Sequence, residues 1–432
     1  MRKITWLILL PALLFTGRSY SQEKLALSLE QARAYALDYN KQVENAALAV
    51  ELAQKKINES ISGFLPQAGI TMDYSNYLGA EMEFQFSEDV PPTTIPFNPT
   101  SNMYFTVNQM IFSGNFIVGL QMVRIYKEIS GTNYLRTEQN LVENTTKAYH
   151  SALITELSMD IINENITNTR QIYENTKAMV SVGMAEKLDL DQFEVQMTSL
   201  DNALKSAERQ KELAYNLLRF QLGVPVDTPI ELTDSLDFFL DSFDFTGMAD
   251  QSFNMQNNLD YQVMQQQEKL ANRQVGMQMM NYLPTINSFY QYTSKIMKSD
   301  FDLTPKNVIG LNLSFPILSS GMRNSQYNQA RIQYETTQNN KSLLEDQLML
   351  TERQLRFNLA NAIDQYMNLQ KNVEVTYRIY KNYQFKYEQG VASSLDLTIS
   401  NNNYLQAESD YLLSILNLLN ARLELQKLMN KL

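Results

Sequence analysis

Val182-Gly183-Met184-Ala185-Glu186-Lys187-Leu188-Asp189-Leu190 and Gln389-Gly390-Val391-Ala392-Ser393-Ser394-Leu395-Asp396-Leu397 are one phrase written twice, 207 residues apart. In each copy a glycine stands six positions before an aspartate, between two long segments with no turn signal. Self-similarity at a fixed spacing governs how the rest of a chain is read. Gly114 and Gly321 keep the same spacing of 207. Earlier in each half the spacing is 218, for Asn40 with Asn258 and for Leu65-Pro66 with Leu283-Pro284. The first half therefore carries about eleven extra residues between its Pro and its Gly. They fall in the stretch 80–102, where Pro91, Pro92, Pro96 and Pro99 argue against any helix or strand interior.

Each half then reads helix, strand, loop, strand, very long helix, turn, helix. The expected organisation is a first repeat over 23–223, a connecting segment over 224–258 and a second repeat over 259–432. In the first repeat a helix runs from the N-cap Ser28 towards Ile61. Strands follow near Gly69–Leu78 and Met103–Met110. A long helix fills Asn115–Val182, and a return helix covers Leu188–Leu222, closed by Gly223 and Pro225. The second repeat starts a helix at Leu259, with strands near Thr285–Tyr292 and Val308–Phe315 and helices over Met322–Gln389 and Leu395–Leu432. From Met322 to Gln389 there is neither Gly nor Pro, which allows a helix of about 100 Å at 1.5 Å per residue.

Apolar residues in that helix alternate spacings of three and four: Leu344, Leu348, Leu355, Leu359, Ala362, Tyr366, Leu369, Val373, Tyr380 and Tyr383, with Thr351 and Thr376 filling two steps. Sustained over several heptads, this is a coiled-coil seam. The first repeat carries a matching stripe at Leu141, Ala148, Ala152, Met159, Ile162, Ile166, Tyr173 and Val180. The connecting segment is acidic, but Phe238, Phe239, Leu240, Phe243 and Phe245 point to a small band packed outside the helices rather than a solvated linker.

Composition narrows the function. Residues 1–22 read as a secretory signal peptide, with Arg2 and Lys3, an apolar run from Ile4 to Phe15 and a cut near Ser21 or Gln22. Trp6, the only Trp, leaves with it. There is no Cys, which removes disulfides, thiolate metal sites and a lipid-bearing Cys. After the signal peptide no run approaches about 18 apolar residues, so no transmembrane helix is expected and a closed barrel is the other way across a bilayer. A net charge of −11 with no basic patch argues against nucleic acid. His150, the only His, sits beside the Ala148 and Ala152 seam and reads as structural. No phosphate loop, nucleophile elbow or metal cluster appears, so neither an enzyme nor a cofactor is expected.

The strands alternate. Ile70, Met72 and Tyr74 oppose Thr71, Asp73 and Ser75; Ile309, Leu311, Leu313 and Phe315 oppose Gly310, Asn312 and Ser314. Segments of about 8 to 11 residues, apolar on one side and polar on the other, suit an outer-membrane barrel wall. Tyr74, Tyr77, Tyr104, Phe105, Phe289, Tyr290 and Tyr292 could form aromatic girdles. A soluble sheet with one wet face shows the same alternation. Four strands cannot close a barrel, since about eight are needed, and bare edges are not tolerated in lipid. Several chains must each donate four strands.

Together these features resemble the TolC family of outer-membrane channel proteins over nearly the whole mature chain. The resemblance rests on the Leu-Pro steps into strands, the Gly114 and Gly321 strand exits and the paired Gly-x5-Asp turns. It implies a mainly α fold with a membrane β-barrel portion: a homotrimer whose 12-stranded barrel continues into an α-helical barrel across the periplasm. It also implies a periplasmic adaptor (membrane fusion) protein and an inner-membrane pump, such as an RND transporter or ABC exporter, as partners beside outer-membrane lipid. Gly183, Met184, Gly390 and Val391 would be the tips that meet the adaptor. Asp189 and Asp396 would ring the periplasmic entrance and set its selectivity, although both could simply serve the N-terminal ends of the return helices. Ala392 stands where a basic latch partner is expected and Ile399 where a second acidic residue can occur. The expected function is the exit duct of a tripartite efflux pump for small molecules. A type I secretion duct and a heavy-metal duct share the fold, and a periplasmic coiled-coil scaffold is the reading from another class. The Met residues fit helix seams better than soft-metal export.

Overall fold

A computed structural model describes residues 24–85, 87, 91–241, 252–297 and 304–432. The expected signal peptide, Trp6, Phe243 and Phe245 lie outside the described residues. In chain order the elements are β1 (Leu25–Leu27), α1 (Leu29–Tyr39), α2 (Lys41–Ser62), β2 (Gln67–Ser75), β3 (Glu81–Phe84), β4 (Thr93–Pro96), β5 (Thr100–Phe112), α3 (Gly114–Ser181) and α4 (Lys187–Leu222). There follow β6 (Ile230–Leu232), α5 (Leu236–Asp241), a 3-10 turn (Met255–Asn257), α6 (Leu259–Met280), β7 (Thr285–Met297), β8 (Asn307–Ser314), α7 (Met322–Glu388) and α8 (Ser394–Leu428). Among the described residues no helix is long and apolar enough to cross a membrane.

The residues fall into two compact units. The first draws on Met1–Asn40, Asn144–Asp244 and Tyr366–Asn417, the second on Lys41–Glu143, Phe245–Gln365 and Leu418–Leu432.

In the first unit Ser28 caps α1 as its sequence suggests. Its hydroxyl accepts from the Gln31 N–H, and the Gln31 side chain accepts from the Ser28 N–H, a capping box. The helix expected to continue to Ile61 instead stops at Asn40, whose backbone is extended at φ −74° and ψ 127°. The reason is a side-chain bond: buried Asn40 Nδ2 donates to the Gln221 carbonyl, 2.8 Å, at the end of α4. That carbonyl is one of those a helix end leaves unpaired. Tyr149 on α3 is fully buried; its hydroxyl donates to the Leu27 carbonyl at 3.0 Å and lies 3.2 Å from Asp234. β1 pairs in parallel with β6, so the connecting segment is tied back by both main chain and side chain. Phe239 of α5 is buried edge-on to the rings of Tyr149 and His150.

The second unit holds a four-stranded antiparallel sheet in the order β2-β5-β7-β8. Two of its strands outrun the expected ones, β5 reaching Thr100–Phe112 and β7 reaching Met297, while β2 (Gln67–Ser75) and β8 (Asn307–Ser314) each begin and end earlier than expected. Ile70, Phe105, Tyr292 and, one step along, Tyr290 with Ile309 lie on one face. The stretch expected to exclude strands contains one short hairpin, β3 with β4, in which Pro96 sits at the strand end opposite Glu81. A proline is tolerated at an end because no interior ladder bond is asked of it.

Beneath the sheet α6 lies between α3 and α7. Gln266 Nε2 donates to Thr132 Oγ1 at 2.8 Å and Arg136 pairs with Asp260 at 3.0 Å on one side; Lys341 pairs with Glu268 at 2.8 Å on the other. At Gly114 a Cβ would stand 2.9 Å from Met280 Cβ, so this glycine is required by close helix approach rather than by a strand exit. Asn258 caps α6 and its Nδ2 donates to the Leu428 carbonyl of α8 at 3.2 Å.

Candidate functional site at the paired helix turns

Within the first unit α3 turns into α4 at Gly183 and α7 turns into α8 at Gly390. Both glycines have positive φ, 77° and 67°, which L side chains adopt only with strain. Nothing lies within 4 Å of a Cβ built on either, so backbone conformation alone demands glycine there. The hydrogen bonds are those of a Schellman end. Met184 N–H donates to the Met179 carbonyl (2.8 Å) and Gly183 N–H to Val180 (3.1 Å); Val391 N–H donates to Lys386 and Gly390 N–H to Tyr387, both 2.9 Å. This leaves Met184 and Val391, both apolar, about three-quarters exposed at the turn crests.

The two aspartates close capping boxes rather than serving as N-caps. In α4 the N-cap is Glu186, whose N–H donates to Asp189 Oδ2 at 3.0 Å. In α8 Ser393 holds the equivalent place: its hydroxyl donates to Asp396 Oδ2 at 2.7 Å and accepts from the Asp396 N–H at 3.1 Å. A carboxylate at a helix N-terminus is favoured by the unpaired N–H groups and the dipole.

The two differ in what else they hold. Asp189 Oδ1 also accepts a short hydrogen bond from Ser394 Oγ of the other hairpin, and Ser394 is almost fully buried. Gln192 Oε1 lies 2.7 Å from the same hydroxyl. A hydroxyl has one hydrogen, so with it given to Asp189 the Gln192 amide is better satisfied turned over, its N–H toward Ser394. Asp396 is exposed and its bonds stay within its own cap. Sequence reading singled out both aspartates but missed Ser394, which looks like any small residue after a turn.

Above the turns a small core joins the hairpins: Ile172, Phe193, Tyr380, Tyr387 and Leu397, with Ala392 packed against it. Ala392 thus fills an apolar place where a basic partner was expected, and Ile399 is half exposed. Thr176 is fully buried; it donates to the Ile172 carbonyl at 2.9 Å, so the 2.8 Å contact with Tyr387 must carry the tyrosine's proton. Burial, with the Asp189 carboxylate adding to it, pushes the Tyr387 phenol above its usual value, which keeps that proton in place. The first-repeat seam departs from expectation here. Leu141, Ala148 and Ala152 are buried, but farther along it is Asn165, Thr169, Ile172 and Thr176 that face inward, while Ile166 and Tyr173 are half-buried. A straight helix drifts against a strict seven-residue repeat, so the inward stripe moves by one position over this length.

Residues 32–224 and 254–431 match the outer membrane efflux protein family. The outer membrane protein TolC of Salmonella enteritidis is 25% identical over 357 residues, covering 76% of this chain and 66% of TolC, just under two thirds of its length. Among solved structures, the outer membrane protein VceC from Vibrio cholerae superposes with a TM-score of 0.73 at 13% identity, covering 93% of this chain and 95% of VceC. The open state of the MtrE outer membrane channel of Neisseria gonorrhoeae gives 0.74 at 16% identity, covering 93% and 88%. The two matched segments leave out the strip between the repeats and take in both turns, both capping boxes and all four strands of the larger sheet, so the chain belongs to the outer membrane efflux protein family.

Proposed function

We propose that three copies of this chain form one duct, a 12-stranded barrel in the outer membrane continued by helices through the periplasm, serving as the exit of a tripartite efflux pump for small molecules. The family is one of outer membrane efflux proteins. The observation that carries the reading is the open sheet. Ile70, Met72 and Tyr74 on β2 and Ile309, Leu311 and Leu313 on β8 all expose more than half of their surface on one face. Among the described residues the outer edges of β2 and β8 have no neighbour strand. An apolar face and two bare edges are what a barrel segment requires and a soluble sheet avoids.

On the same reading Gly183, Met184, Gly390 and Val391 receive a periplasmic adaptor, which links the duct to an inner-membrane pump. Exposed apolar residues on rigid turns supply contact area at little entropic cost. Asp189 and Asp396 stand at equivalent places in the two turns, so three copies present six carboxylates that favour cations at the entrance. In planar-bilayer recordings D189A with D396A should reduce cation preference. Unchanged selectivity would remove the entrance assignment, and recovery of the protein in the soluble periplasm without detergent would remove the channel itself.

A further inference from the structure

The side of the four-stranded sheet turned away from Ile309 and Leu311 is uneven in charge. Its row Asp73, Asn102 and Lys295 holds one acidic and one basic residue, placed on either side of an amide. From Gly69, Thr106 and Gln291 down to the helix ends of the strands, the same side holds no charged residue. Its polar groups there are hydroxyls and amides, and one ring lies among them. Phe289 of β7 stands directly between Asn108 of β5 and Gly310 of β8, and in the next row Asn287 stands directly opposite Asn312. With strands about 4.8 Å apart and alternate residues about 6.8 Å apart, these side chains fill a patch about 10 Å by about 7 Å.

The ring is held down. A Cβ on Gly310 would come within 2.7 Å of Cε1 and Cζ of Phe289, so the ring occupies the space that any other residue of β8 would fill there. It therefore lies along the sheet as a platform rather than standing away from it. The amides around it are uncommitted. Among the described residues the side chains of Asn108, Asn287 and Asn312 have no hydrogen-bond partner, although an amide carries both donors and an acceptor. The strand plan does not require this arrangement. At the offset of 218 the places of Asn287 and Phe289 are taken in the first repeat by Gly69 and Thr71, on the same side of the sheet.

We propose that this patch is a subsite for neutral, polyhydroxylated cargo: a sugar ring lays its C–H face on Phe289 while Asn108, Asn287 and Asn312 exchange hydrogen bonds with its hydroxyls. An amide offers a donor beside an acceptor, and adjacent sugar hydroxyls offer the complement. The negative face of the aromatic ring receives the sugar's C–H groups. Other cargo fits less well. An ion meets no opposite charge on this stretch, and a wholly apolar molecule would cover three amides without replacing their bonds to water. The inference rests on the reading of the sheet as part of a barrel wall, with this side lining the bore. It names a substrate class for that duct, whose entrance acts on charge and whose exit acts on hydrogen bonding.

Saturation-transfer difference NMR on the full protein, extracted in an amine-oxide detergent that carries no sugar, reads the contact directly. With maltohexaose as the probe, the sugar C–H protons should be saturated at millimolar concentration, as befits a small contact area. Polyethylene glycol of equal length and hexaglycine should show little. F289L, which fills the same space without a ring, should weaken binding about fivefold. F289Y should retain it, and N287A with N312A should weaken it while leaving the ring in place. Equal saturation of polyethylene glycol or hexaglycine would overturn the proposal, as would unchanged binding in F289L or in the double asparagine variant. Trimers with channel current but no sugar signal would overturn the subsite and leave the duct standing. Monomers without channel current would overturn both.

Discussion

The hairpin α3–α4 and the hairpin α7–α8 share a backbone plan and differ in what their ends are made of. At the turns both use glycine, Gly183 and Gly390, with the same bonding. At the far ends of the return helices the second repeat changes material. α4 ends on Gly223 at φ 73°, and α8 ends on its counterpart Asn430 at φ 56°. Both make the same pair of bonds, Val224 N–H to Arg219 and Gly223 to Phe220 in one, Lys431 to Gln426 and Asn430 to Lys427 in the other. Glycine is required at 223 for a second reason, since a Cβ there would meet the Tyr39 carbonyl at 2.9 Å. Asn430 already carries a Cβ at φ 56°, and asparagine tolerates the left-handed region. Duplication preserved the conformation, and local crowding decided which residue could supply it.

Replacing the two cap residues with alanine should separate these effects most sharply. G223A combines left-handed strain with a clash against main chain, and should cost about 3 kcal/mol; N430A carries the strain only, about 1 kcal/mol. Thermal unfolding followed by circular dichroism measures both, and equal losses would show that crowding at Gly223 is relieved by a small shift. Effects between that of G223A and that of N430A are expected at the paired turns. S394A removes a buried bond to a carboxylate, about 2 kcal/mol, and S393A removes an exposed cap, about 1 kcal/mol. If S393A proves the more damaging, the cross-hairpin bond to Asp189 is not what holds the two turns together.

The mildest test sets the two units against each other by pH. Burial lifts the Glu408 carboxyl above its usual value, opposed by the Tyr404 hydrogen bond and reinforced by Glu164. Its stabilising contribution is complete below the ordinary glutamate value and is lost as pH rises through the raised one. Lys341 holds Glu268 below its usual value. That contribution is present above the ordinary value and is lost as pH falls through the lowered one. Relative to E408Q, the parent should therefore gain stability on acidification towards about pH 4, and relative to E268Q it should lose it. Parallel slopes for the two variants would contradict the opposed environments.

Much of the fold is legible in the sequence because its signals are covalent or local. Ser28 announces itself through a capping hydroxyl placed three residues before Gln31, Gly183, Gly223 and Gly390 through a left-handed conformation few other residues adopt, and the 207-residue spacing fixes the repeat without any structure. Asn430 does not, since asparagine serves many roles, and α8 accordingly stops at Leu428 rather than running to Leu432. The β3–β4 hairpin was hidden by prolines whose harm depends on position in a strand. The break at Asn40 and the role of Ser394 depend on partners 181 and 205 residues away, which no local pattern reports. At the candidate site the aspartates were legible and their difference was not: one is bonded across to the other hairpin and one is not.

The four-stranded sheet with its two bare edges carries a kinetic consequence. In the proposed ring of three copies the first copy to join satisfies one seam and leaves two edges open. The last copy satisfies two seams in one event, and the second of these forms without a further loss of translational freedom. Partial rings are therefore poorly populated, and assembly is steeply dependent on concentration. The exposed intermediates, with apolar faces and unpaired strands, are the species most prone to aggregate, so for the proposed trimer the hazardous interval is the time spent waiting for a third copy.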